Sequence, residues 1–160
     1  MIQRLQTLYF AISMILLAIL LTGMDIFRFV TEKTTYAFSA FGVESRITGS
    51  PDSKTETISS TPYYIVIIAF ILFIFFALMS YKKLNFQVKL ARAIFYLYLL
   101  MTIGVVIASQ VCSTCVSSEE ATKELDLGFY LIVAGLPFTL LAQIGIIRDK
   151  KLLDSLNRLR

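Results

Sequence analysis

The sequence predicts an all-α membrane protein: a four-transmembrane helix bundle with a small extracytoplasmic loop region containing short β-strands, and a cytoplasmic amphipathic C-terminal helix. Three observations predict it. The 160-residue chain is 57% hydrophobic and 16% charged, where soluble domains average roughly 45–50% apolar and about 25% charged residues. Its mean hydropathy is +0.75, and the apolar residues are concentrated in four blocks free of Asp, Glu, Lys and Arg, at 5–24, 57–81, 93–118 and 127–147. Finally, the basic residues collect in the flanks that would share one membrane face.

Each block supplies the roughly 20 apolar residues that cross a bilayer. In hydrocarbon every backbone N–H and C=O must bond within its own segment, so such blocks are helical. The expected spans are 5–24, 62–81, 93–111 and 128–147 of a single integral domain covering 1–160, with outer loops 25–61 and 112–127 and a tail at 148–160. The first block follows a single basic residue, Arg4, and ends in "LLTGMD" without a small-x-small cleavage pattern, so it reads as an uncleaved signal anchor. Thr61-Pro62 opens the second as N-cap and first helical residue.

Lys and Arg in short flanks stay cytoplasmic. With the N-terminus inside, the inner face collects ten of the fifteen basic residues and two of the eleven acids, and the outer face the remainder. Both termini are therefore expected in the cytoplasm. Most tyrosines fall toward the ends of the proposed spans, where a ring is buried and its hydroxyl wet.

The loop between the first two spans begins "DIFRFVTEKTTYAFSAFGVESRIT". Its Phe, Tyr, Val and Thr content and short alternations, such as Tyr36, Phe38 and Ala40, predict two or three short strands against the outer leaflet. The following "GSPDSKTETISS" reads as a polar return.

Candidate chemistry is sparse. With no His and only two Cys, no metal site or cofactor is expected. Cys112 and Cys115 form a C-x-x-C pair at the outward end of the third span. Four-helix membrane thiol oxidoreductases use such a pair, but they need a second relay pair, so a structural disulfide or two small apolar thiols are the favoured readings. Transport needs polar groups inside the bilayer, and the blocks offer only mild ones, among them Ser13, Thr102, Ser109, Gln110, Thr139 and Gln143. Pro137 is expected to bend the fourth helix near Gly135. Gly104-x-x-x-Ala108 and Gly135-x-x-x-Thr139 read as close-packing positions between helices. In the tail, Leu152, Leu156 and Leu159 recur at spacings of four and three, with Leu153 beside them and Lys150, Lys151, Arg158 and Arg160 on other faces. That pattern predicts a helix lying in the interface, its basic groups toward anionic lipid headgroups. Nucleic acid is not an expected partner.

The opening Met1-Ile2-Gln3-Arg4 with Gln6 and Leu8-Tyr9, and the closing Asp149, Leu152, Ser155 and Arg158-Leu159-Arg160, resemble an uncharacterised four-transmembrane family of the Bacteroidota, a domain of unknown function. The likeness extends more loosely to "YAFSAFG"; where the family pattern has Asp before the final Arg-Leu-Arg, this chain has Asn157. No activity is attached to that family. Because the resemblance lies at the two cytoplasmic ends, it implies a docking surface there, carried by Gln3, Arg4, Gln6, Asp149, Leu152, Leu156, Arg158, Leu159 and Arg160. The expected function is a non-enzymatic accessory subunit of an inner-membrane complex bound to a membrane-protein partner, with protein-export machinery as the host. A small-solute transporter and a thiol oxidoreductase are the alternatives.

Overall fold

A computed structural model describes residues 3–31, 34–47, 56–59, 63–80, 83–115 and 122–158. The chain order is α1 (Gln3–Leu20), β1 (Asp25–Val30), β2 (Thr34–Ser39), β3 (Gly42–Ile47), β4 (Glu56–Ser59), α2 (Tyr63–Met79), α3 (Leu84–Cys115), β5 (Thr122–Leu125) and α4 (Leu127–Arg158).

The all-α expectation is corrected. The strands form one five-stranded antiparallel sheet in the order β4-β3-β2-β1-β5. Four of them come from the segment between α1 and α2, and the fifth from the short connection before α4. Nor, among the described residues, do four helices qualify as spans. Those long and apolar enough to cross a membrane are α3, over Leu84–Val111, and α4, over Leu127–Leu152. The apolar stretches of α1 and α2, Leu5–Leu20 and Tyr63–Met79, are shorter. At 1.5 Å per residue they reach only about 24–26 Å, against a hydrocarbon core of about 30 Å. Helix α1 stops early because Leu21, Thr22 and Gly23 donate to the carbonyls three residues back and Gly23 takes φ +87°, a left-handed closure that suits glycine. The expected surface-lying tail helix is also corrected. Its residues through Arg158 continue α4, a single helix from Leu127 that also contains Pro137.

The helices share one seam pattern. Buried positions in α1 are Gln6, Phe10, Ser13, Leu17 and Leu20, and in α4 Gly128, Ile132, Gly135, Thr139, Ala142, Ile146 and Asp149. Both sets alternate steps of four and three, the heptad rhythm of helices packed side by side. Helix α1 packs most extensively on α4, α4 also on α3, and α2 bridges α1 and α3. Small residues line the α4 seam, so the helix backbones approach closely.

The sheet lies over one end of these helices. Phe27 stacks on Phe38, and Phe38 meets Tyr63 at the start of α2. A bulge between Asp25 and Phe27 turns consecutive residues Ile26 and Phe27 both inward. The tight β2–β3 turn offers the Ala40 carbonyl to the Tyr64 N–H at 2.8 Å, satisfying one of the otherwise unpaired donors at a helix N-terminus.

Candidate functional site

The two chain ends singled out from the sequence meet in space. Gln6, in the first turns of α1, donates from Nε2 to Oδ2 of Asp149, in the last third of α4, across 143 residues of chain. Both are buried, Gln6 at 4% and Asp149 at 7% exposure. They occupy the last matching positions of the two heptad seams, so the register that aligns Phe10 and Leu17 with α4 also brings amide to carboxyl. Gly145 makes room: a Cβ there would lie 2.9 Å from Gln6 Cγ. Oδ1 of Asp149 has no hydrogen-bond partner among the described residues. A buried carboxyl held on one oxygen by a neutral amide is costly, which marks the junction as more than hydrophobic packing.

Around it, Arg148 and Lys151 are exposed and Lys150 half-buried. Leu152 is 47% exposed. Gln3, Arg4, Leu156 and Arg158 belong to α1 and α4 by backbone, but their side chains, with Leu159 and Arg160, lie outside the described residues. The side chains of Cys112 and Cys115, in the last turn of α3, also lie outside them. Of the helix-packing residues, Gly135 is buried against the Tyr98 hydroxyl, whereas Gly104 faces open space. Pro137 is exposed and Ala108 half-buried.

A second polar cluster, not anticipated from the sequence, ties sheet to helices at the opposite end. The Arg28 guanidinium pairs with Asp126 and, at 3.5 Å, with Asp25. Asp126 is also the junction residue of α4. Its Oδ1 accepts the Leu127 N–H, its carbonyl accepts the Phe129 N–H, and its own N–H donates to Ile26 O. An aspartate directly before an apolar helix is a recognisable N-cap signal, and a carboxylate is favoured at that end of the helix dipole. Nearby, Lys123 on β5 donates to Ser109 of α3 at 2.7 Å.

No group of three or more His, Cys, Asp or Glu side chains converges among the described residues. The Gln6–Asp149 pair and the Arg28–Asp25–Asp126 cluster themselves contain no hydroxyl or thiol nucleophile. What the arrangement does chemically is hold a charged sheet end and a basic helix end at fixed, opposite poles of an apolar body.

The chain belongs to the family described as Domain of unknown function (DUF4293), whose model matches residues 2–159. A search of curated proteins found no match.

Proposed function

We propose that this chain is a non-catalytic accessory subunit embedded in a bacterial inner membrane. Helices α3 and α4 cross the bilayer with the shorter α1 and α2 packed alongside them between the same two poles, the sheet stands outside, and the basic pole faces the cytoplasm. Only 39% and 28% of the residues in their apolar windows are buried within the chain. A core helix of a soluble protein is mostly covered by its own fold, so the uncovered apolar surface calls for lipid or a partner. The orientation follows from Lys83, Lys89, Arg92, Arg148, Lys150 and Lys151, which gather at the pole opposite the sheet.

The observation that carries the docking role is the Gln6–Asp149 junction. It ties the N-terminal end of α1 to the C-terminal third of α4, and we read that shared pole as the cytoplasmic surface on which a partner protein docks. In this reading Arg158 and Arg160 make two-pronged contacts to partner carboxylates or carbonyls that lysine does not reproduce. Protein-export machinery, which acts at both faces of such an envelope, is the host we favour.

The test is extraction from the native membrane in mild detergent, pull-down and mass spectrometry. Reproducible partners at near-equal stoichiometry are expected, reduced by combined Arg158→Lys and Arg160→Lys while membrane insertion stays normal. Recovery of the chain alone, with saturable solute uptake in liposomes, would establish the transporter alternative instead. The observation favouring that alternative is the set of buried hydroxyls on Ser13, Tyr63 and Tyr98 that lack partners among the described residues.

A further inference from the structure

A groove of about 380 Å³ opens where α2 ends and α3 begins, lined by Phe76, Met79, Ser80, Lys83 and Phe86. Its walls are apolar. Phe76 and Phe86 meet edge to face at 6.4 Å, and Met79 is 62% exposed. Its mouth is polar and basic: the Ser80 hydroxyl donates to Phe76 O, which leaves the Lys83 ammonium, among the described lining residues, as the side-chain donor facing the mouth. Lys89 follows Phe86 by three residues on the same side of α3, and Arg92 follows Lys89. Among the described residues none of these three cations forms a salt bridge, and no carboxylate lines the groove. Asp149 is turned into the α1–α4 seam, and the side chain of Asp154, further along α4, lies outside the described residues.

Resting on the membrane reading above, we propose that this groove is a binding site for an anionic phospholipid of the inner leaflet. The headgroup phosphate accepts hydrogen bonds from Lys83, and an acyl chain lies against Phe76, Met79 and Phe86. An amphipathic ligand matches a site apolar along its walls and cationic at its mouth. The net negative charge selects against zwitterionic lipids, whose own cation already balances the phosphate. The site lies on the α2–α3 turn and is separate from the docking surface of the chain ends.

The chain contains no tryptophan, so Phe86→Trp in the full-length protein installs a single fluorescent reporter in the groove. The protein is reconstituted in phosphatidylcholine nanodiscs containing a minor fraction of brominated lipid, either phosphatidylglycerol or phosphatidylcholine. Quenching by the anionic lipid should exceed quenching by the neutral one by about fivefold in local enrichment, the preference that one basic residue at an anionic surface supports. Lys83→Gln should bring the two lipids to parity. A reporter at Leu100, 66% exposed and midway along α3, should show parity throughout, and Phe76→Trp on the opposite wall should repeat the Phe86 result. Equal quenching by the two lipids at Phe86, equal enrichment at Leu100, or indifference to Lys83→Gln would each overturn the site while leaving the membrane reading intact. A chain that stays out of the nanodiscs would overturn both.

Discussion

Gly135→Ala tests the packing of α4 at its tightest point. A Cβ at that position would press on the Tyr98 hydroxyl and lie 2.7 Å from Cζ and 3.4 Å from Cε1 of the same ring. Tyr98 has little freedom to yield, because it is fully buried and its ring stands edge-on to Phe70 at 5.8 Å. Overpacking of this kind costs about 1–3 kcal/mol, while alanine in place of a mid-helix glycine returns about 1 kcal/mol. The net expectation is a loss of up to about 2 kcal/mol. Gly104→Ala is the matched control: nothing lies within 4 Å of its added Cβ, so only the helix-propensity gain remains and stability should hold or rise. Tyr98→Phe alone should change stability by less than about 1 kcal/mol, since the buried hydroxyl has no partner among the described residues to lose. Combined with Gly135→Ala it should recover part of the loss, because Cζ still crowds the new methyl. Reversible unfolding in mixed micelles, followed by circular dichroism, measures all four variants. Equal behaviour of the two glycine variants, or a Gly135→Ala loss indifferent to residue 98, would refute the reasoning.

Gly128→Ala should be the most damaging glycine substitution, because its Cβ would meet backbone, the Asp25 oxygen at 2.6 Å and Ile26 Cα at 3.0 Å; hydrogen exchange should show β1 amides losing protection as the sheet lifts from α4. Gln6→Leu leaves both Asp149 carboxyl oxygens without a donor among the described residues and should cost about 1–3 kcal/mol, most of it restored by adding Asp149→Asn; unfolding midpoints at neutral pH decide this. Replacing Cys112 and Cys115 together by Ser should leave partner recovery intact. A quinone-dependent thiol oxidation by the purified protein, lost in that variant, would establish redox work in its place.

Much of the apolar architecture was legible along the chain. Unbroken apolar blocks without charge have few folded uses, so four helices were readable, as was the tendency of the segment 25–47 to form strands. The sequence also marked Gln6 and Asp149, each near one chain end. That they touch was decided by tertiary structure, because the contact depends on how α1 and α4 align, and their positions lie 143 residues apart. The sheet was underestimated for a similar reason. Strand β5 is four residues of ordinary polarity, "TKEL", and becomes a strand because β1 offers it a free edge. A local pattern cannot report a hydrogen-bonding partner that arrives from another part of the chain. The same holds for Gly104 and Gly135, identical in their local i, i+4 pattern: only packing against Tyr98 separates a glycine that must stay small from one that faces open space. Composition determined which segments must leave water, while the three-dimensional register determined which of their few polar groups meet.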